Sequence, residues 1–531
     1  MSNNAVTPQK SNIESPQTTM IELDAQTRTI LWIGIGFYTL TMLTIGYISG
    51  RRVKDMNDFL VAGRRLPLWM ATATLLATWF GAGSSMGVAA TVYSGSLRDV
   101  IADPFAAAIS LVLAGFFIVG YLRKMNCYTV TDIILKKYGR RAGVYASLWM
   151  IPVYIGWLGA QMLGLGTILH LLTGINMLWG TIIGAAVILI YTASGGMWAV
   201  TLTDIVQVSL IVLGLLLIVP GAVDLAGGWS AIYNNPQADL SLLPAKDSGG
   251  WSGSVNYIGN WMIMGLGCMV GQDLVQRSLA SRTETIAKQS SVYSGILYML
   301  IGMIPITIGL AAKIVFPKLG ITTEAFGNDL ENQVLPRMAI QILGGIHPVL
   351  LTIFLSALIS AIMSSADSSL LAASSLFSNN VLHTLFPQIP ERKMLMLVRL
   401  ITVLILVIST VLALKVQSIY ALMINCWASQ LVIVFIPVVT AMYFPKSTKR
   451  SALWTMGTAT AVWLGYMVVS ALQIQGGFVE VMDSDGFQFA LTNGAVYGFF
   501  SGAVAFAGSY AFDLHALKRT RRVNHGPVVS C

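Results

Sequence analysis

The run SALISAIMSSADSSLLAASS, Ser356–Ser375, decides how the chain is read. It sits in an apolar segment long enough to cross a bilayer, yet it holds a carboxylate, Asp367, and a stripe of hydroxyls. Ala361, Ser364, Ser365 and Ser368 fall at i, i+3, i+4 and i+7, so they share one helical face. Small Ser and Ala residues also let membrane helices pack closely. Close packing does not call for a charge, however, and a carboxylate inside a membrane helix faces a partner, a cavity or an ion path.

The rest of the chain supports a membrane setting. Of its 531 residues, 55% are hydrophobic and only 10% charged, a balance foreign to soluble domains of this size. Thirteen candidate spans follow one another: 30–49, 68–93, 104–122, 143–171, 177–194, 203–222, 256–272, 291–314, 346–377, 394–414, 417–443, 453–473 and 487–512. They imply an all-α polytopic membrane protein. Residues 1–29 form a polar N-terminal tail expected to be disordered, 30–512 a single transmembrane transporter domain, and 513–531 a basic cytoplasmic tail. The first span follows no basic segment or cleavage site and is read as a retained helix. The four cysteines are scattered without a CxxC and suggest neither a disulfide framework nor a metal site.

Lys and Arg set the orientation. With the N-terminus outside and the C-terminus inside, 24 of the 32 basic residues fall in inner loops and helix ends, Arg277, Arg282 and Lys288 among them. Most loop acids, including Asp224, Asp239, Asp247, Glu324, Asp329, Glu331, Glu480, Asp483 and Asp485, then fall outside. The net charge of +9 reflects this bias and not nucleic-acid binding. No connection has room for a soluble catalytic module, no GxxxxGK[ST] occurs, and no nucleophile–base arrangement stands out, so an enzyme is not indicated.

Two spans are interrupted by glycine. The second reads ATWFGAGSSMG, with Gly81, Gly83 and Gly87; the seventh reads MIMGLGCMVGQD, with Gly265, Gly267 and Gly271. Glycine permits unwinding and also close helix crossing. A matched pair of broken spans in two halves points to the binding site of a secondary transporter. Spans 2–6 (about 68–222) and 7–11 (about 256–443) then form two five-helix units of opposite direction. Unwound carbonyls around Ala77 to Phe80, facing the hydroxyls of span 9, offer neutral oxygens suited to a hard cation such as sodium.

Five blocks in order carry a resemblance: DFLVAGRRLP (58–67), ATWFGAGSSMG (77–87), YTASGGMWAVTLTDIVQ (191–207), GQDLVQRSLAS (271–281) and SALISAIMSSADSSLLAASS (356–375). Together they resemble the sodium:solute symporter family over about residues 30–450. The resemblance implies a LeuT-like fold of five plus five inverted helices with flanking spans, in a plasma or inner membrane. It implies a sodium site built from the carbonyls of Ala77 and Phe80 with Ala361, Ser364 and Ser365. Some relatives have a second sodium site, which maps to Asp204, Asp367 and Ser368. Asp367 departs from the hydroxyl of the glucose transporters and resembles the ADSS form of the choline-type branch. Two acids there repel unless they share a cation or a proton. Asp204 is otherwise read as an interfacial cap.

The resemblance also places a solute between the two broken helices and the third core helix. That implies walls from Trp79, Ser84, Tyr93, Trp157, Gln161, Gly267, Val270, Gly271 and Gln272. Trp79 and Trp157 look like the aromatics with which choline-type transporters hold a quaternary ammonium, although tryptophan in membrane helices also serves packing and anchoring. That branch has another Trp where this chain has Gly271, and the proline symporters have one near Val270. The sugar-contacting set of the glucose transporters is absent. The resulting expectation is a sodium-coupled symporter of a small polar solute such as choline, betaine or proline, with sodium as coupling ion and no organic cofactor. A monocarboxylate or other solute, or a transporter-like sensor, stands as the alternative.

Overall fold

A computed structural model of the chain describes residues 25–244, 250–321, 329–344, 347–415, 419, 427–474 and 484–524. Most of the N-terminal tail, the end of the basic tail and the loop acids Asp247, Glu324, Glu480 and Asp483 lie outside them. The described residues are helical apart from turns and one isolated bridge between Leu66 and Ser281. Helices satisfy their own backbone, which is what a hydrocarbon surrounding demands.

Helix α1 (Ala25–Gly50) leads into the broken second span, whose halves α2 (Leu68–Trp79) and α3 (Gly83–Ser94) meet at a 60° bend. Then come α4 (Leu97–Phe117), α5 (Arg140–Thr173) and α6 (Met177–Ala226). At 1.5 Å per residue, the 50 residues of α6 would run about 75 Å if straight, far beyond a hydrocarbon core of about 30 Å. The helix instead turns at Gly196, whose φ of 50° and ψ of −139° lie outside the helical region. The turn separates the segments expected as spans 177–194 and 203–222.

The seventh span is broken as well. Helix α7 (Gly250–Gly265) stops, Gly271 is extended at φ −61° and ψ 133°, and α8 (Gln272–Ala280) resumes. Next are α9 (Glu284–Lys318), α10 (Asp329–Leu343) and α11 (Pro348–Ser375). Helices α12 (Glu391–Ala413), α13 (Trp427–Tyr443), α14 (Lys449–Ala471) and α15 (Asp485–Asn524) complete the chain. Among the described residues nine helices are long and apolar enough to cross a membrane, ten with the bent pair. Both breaks fall in the first helix of a five-helix unit, as the glycines imply.

Every residue from Phe354 to Ser375 is buried, so α11 has protein on all sides and runs through the centre of the bundle. Apolar side chains cover the periphery instead; Phe37 is 74% and Val504 73% exposed, a surface for acyl chains. Two departures from the sequence reading matter. Residues 315–345, read as a loop, contain α10, which packs Val334, Leu335, Met338 and Ala339 inward. Arg277, assigned to the inner loops and helix ends, is only 1% exposed. The cause is the second break: the chain re-enters as α8 and carries Arg277 into the bundle.

The turn at Gly196 depends on glycine. Its backbone conformation is closed to other residues, and a Cβ there would lie 2.6 Å from the Phe59 ring and the Phe59 carbonyl. Gly196→Ala is expected to cost about 1–3 kcal/mol and to lower the melting temperature of detergent-purified protein. Gly36→Ala, where a Cβ meets nothing within 4 Å, should leave it unchanged. Equal melting of the two variants would contradict this role for the turn.

Candidate ion and solute site

The break between α2 and α3 frees backbone carbonyls that a continuous helix would satisfy. Two are met by side chains. The Thr78 carbonyl accepts the Ser365 hydroxyl at 2.6 Å. The Trp79 carbonyl lies within reach of the Ser84 hydroxyl (3.0 Å) and the Tyr298 hydroxyl (3.2 Å). The carbonyls of Ala77 and Phe80 accept no hydrogen bond from any described residue. The restarting helix is capped by Gln161, whose Oε1 accepts the Ala82 N–H at 2.9 Å. Gly81 lies between, and a Cβ on it would come within 2.2 Å of Ser365 Oγ and 2.7 Å of Gln161 Oε1. Phe80 and Ala361 border a cavity of about 10 Å³ beside this turn, close to the least volume that holds a water.

One turn further along α11 lies a second polar cluster. Asp204 of α6 accepts the Ser364 hydroxyl at 2.5 Å and, on its other oxygen, the Thr74 hydroxyl. Ser364 is thus directed to the acid, while its neighbour Ser365 reaches the broken turn. Asp367 accepts the Tyr191 hydroxyl at 2.7 Å and lies 3.0 Å from the Ser368 hydroxyl. Ser368 also contacts the Thr78 hydroxyl at 3.1 Å and the Ser364 carbonyl at 2.5 Å. Asp204 and Asp367 are therefore linked through Ser364, whose hydroxyl donates to Asp204 and whose carbonyl accepts the hydroxyl of Ser368 beside Asp367.

Arg277 enters the same cluster. Its guanidinium donates to the Ser368 hydroxyl and, at 3.2 Å, to the Asp273 carbonyl. The sequence reading assigns Arg277 to topology alone and misses it here. The signal available was the carboxylate excess of the pair itself, which asks for a buried cation.

Beyond the break, a small chamber of about 20 Å³ is lined by Trp79, Ser84, Asp103, Trp157, Met264, Cys268, Tyr298 and Trp427. The centroid of the Trp157 ring lies 5.2 Å from that of Trp427, and the Trp79 ring meets Tyr298 edge-on at 6.2 Å. Asp273 fixes one wall from behind. It accepts the Trp79 indole N–H at 2.6 Å and the Tyr154 hydroxyl at 2.8 Å. The chamber holds about one water, so the structure is a contracted form whose walls must part to admit a solute.

Of the walls implied by the resemblance, Trp79, Ser84 and Trp157 line this chamber. Tyr93 does not; it is half-buried and packs edge-on against Phe316 at 5.4 Å. Gln161 caps the broken turn instead. Gly267 abuts Leu431, whose Cβ would be 3.2 Å from an added Cβ, and so brings α13 close to the second break. Val270 is buried beside it. Gly271 leaves room for Trp427, whose ring a Cβ would meet at 3.5 Å. Gln272 turns away, accepting from Val130 N at 2.8 Å and donating to Ser375 at 3.2 Å. Asp103, Tyr298 and Trp427 are chamber residues that the sequence reading misses. Only Asp103 left a signal, as a lone acid at the edge of an apolar span.

Comparison with known proteins agrees with this architecture. A family model described as the sodium:solute symporter family matches residues 59–459. A high-affinity choline transporter from Caenorhabditis elegans is 28% identical over 496 residues, covering 86% of this chain and 81% of its own. One from Torpedo marmorata is 30% identical over 480 residues, covering 84% and 76%. A solved Na+-coupled sialic acid symporter in a substrate-bound outward-open state superposes with a TM-score of 0.72 at 19% identity, covering 91% of this chain and 97% of that one. It shares the fold. On the strength of the family model and these relatives, the chain belongs to the sodium:solute symporter family.

Proposed function

We propose that the chain is a multi-pass symporter in which sodium moving down its gradient carries in a small organic cation, with a quaternary ammonium such as choline as the best fit. The observation that carries this reading is the position of Trp79. The carbonyls of the turn that ends with it face the hydroxyls of α11, while its ring walls the solute chamber. Sodium held at that turn therefore orders the wall the solute meets. Three tryptophan faces suit an ammonium group, which they attract through the ring quadrupole. The similarity to high-affinity choline transporters points the same way. A monocarboxylate is disfavoured, because among the described residues no cationic side chain lines the chamber.

The first sodium is held by the carbonyls of Ala77 and Phe80, the Ser365 hydroxyl and the turn at Ala361, with Ser364 leaving Asp204 to join. At the second cluster, two carboxylates face one guanidinium. With Asp273 on the same helix as Arg277, the carboxylates outnumber the guanidinium, and a second sodium or a proton offsets the excess at Asp204 and Asp367. Both ions bind neutral or anionic oxygens, as hard cations require.

In proteoliposomes, choline uptake should need an inward sodium gradient. Ser365→Ala, removing one oxygen from a charged contact worth about 1.5 kcal/mol or more, should raise the sodium concentration for half-maximal uptake about tenfold. Uptake driven by a proton gradient and indifferent to sodium would refute the coupling.

Asp204→Asn and Asp367→Asn test the second ion. Each should flatten the sodium dependence of uptake toward a slope of one or weaken its midpoint. An unchanged curve in both variants would leave the two acids with a structural role only.

A further inference from the structure

Asp103 stands at the start of α4 with no exposed surface, and its carboxylate opens onto the chamber. Both of its oxygens are held by hydroxyls: Oδ2 by Ser84 at 2.6 Å and Oδ1 by Tyr298 at 2.7 Å. Yet it has no cationic partner. Among the described residues the ion pairs are Arg98–Asp239 and Lys288–Glu284, both elsewhere. The other chamber walls are three indoles, a thioether, a thiol and the two hydroxyls that bond it. Asp103 is therefore the single formal charge on the wall among the described residues. A buried carboxylate without a counter-ion is unfavourable, and here the site is arranged so that something other than the protein supplies the positive charge.

We infer that Asp103 is the specificity-determining residue of the solute site: it pairs with the ammonium of the solute and restricts transport to molecules of net positive charge. The inference rests on the organic-cation reading and sharpens it. Betaine and proline carry a carboxylate beside the ammonium, which would lie near Asp103 in a chamber with no cationic side chain on its wall. They are selected against by like-charge repulsion. The aromatic faces alone do not make this distinction, since they act on the ammonium that all three solutes share. A second carboxylate supports the same sign of selection from outside the wall. Asp273 accepts the Trp79 indole N–H, which draws positive charge to the ring edge and leaves the face richer in electrons.

The test compares choline with its uncharged isostere 3,3-dimethyl-1-butanol and with glycine betaine. It reads the ligand-induced thermal shift of the full-length protein in saturating sodium. The native protein should bind choline at least tenfold more tightly than either analogue. Asp103→Asn should lose at least tenfold in choline affinity and little for the butanol, so that the gap between the isosteres closes. Asp103→Glu, which keeps the charge, should retain a preference for choline. Stabilisation by sodium alone reports that each variant is folded. If folded Asp103→Asn keeps the native choline-to-butanol ratio, the assignment of Asp103 falls while the organic-cation reading stands. If the native protein binds betaine as tightly as choline, the assignment also falls, whatever the variants do. If it binds none of the three while sodium still stabilises it, both the assignment and the organic-cation reading fall and sodium coupling remains.

Discussion

A helix that stops inside a membrane leaves carbonyls for which no water is at hand, and everything near the α2–α3 break answers that constraint. Ser365 meets the Thr78 carbonyl, while the Ser84 and Tyr298 hydroxyls lie within reach of that of Trp79 and hold Asp103 at shorter distance. Gln161 meets the N–H of the restarting helix. These partners reach the break only because Gly81 has no side chain and because the facing surface of α11 is made of alanines and serines. The small, hydroxylated character of Ser356–Ser375 is thus a consequence of the break as well as a means of packing. The two carbonyls left over, on Ala77 and Phe80, are what a desolvated cation lacks.

The second break ties the ion cluster to the solute chamber. Asp273, at the start of α8, holds Trp79 and Tyr154. One turn later Arg277 donates back to the Asp273 carbonyl and forward to Ser368. A change in charge or geometry around Ser368 is therefore passed through a single helical turn to the residue that orients the chamber's tryptophan. Coupling between ion and solute needs contacts that differ between states, and α8 is the single turn on which the two clusters touch.

Much of the fold was legible in the sequence because membrane spans and interrupting glycines leave local signals. Apolar length marks the helices, and Gly81 and Gly265–Gly271 mark both breaks. Helix α10 was not legible, since an amphipathic segment with Gln333 and Arg337 reads as a polar loop until its neighbours bury it. The hydroxyl stripe was legible as a face, but not the division of labour on it. Ser364 and Ser365 are adjacent in sequence and turn to different partners because Asp204 approaches from α6. Trp427 and Tyr298 carry no local mark at all. An aromatic in an apolar span becomes a chamber wall only through the crossing of distant helices. Tyr93, near the end of α3, shows the converse, since its ring is taken by Phe316.

On the proposed reading, one small chamber and the turn beside it serve two substrates of opposite demands. Sodium needs close, fixed oxygens, and a quaternary ammonium needs aromatic faces several ångströms apart. The break provides both by separating them along one turn: carbonyls on one side of Trp79 and its ring on the other. Closing the chamber brings Trp157 and Trp427 together, and α13 is held against the second break by the close contact of Leu431 with Gly267. Movement of α13 therefore also moves the segment that bears Asp273, and through it Trp79. On the proposed reading, sodium at the broken turn holds Trp79 where the solute meets it, so each ligand favours the arrangement that binds the other, and this positive linkage is the physical basis on which the gradient of one drives the uptake of the other.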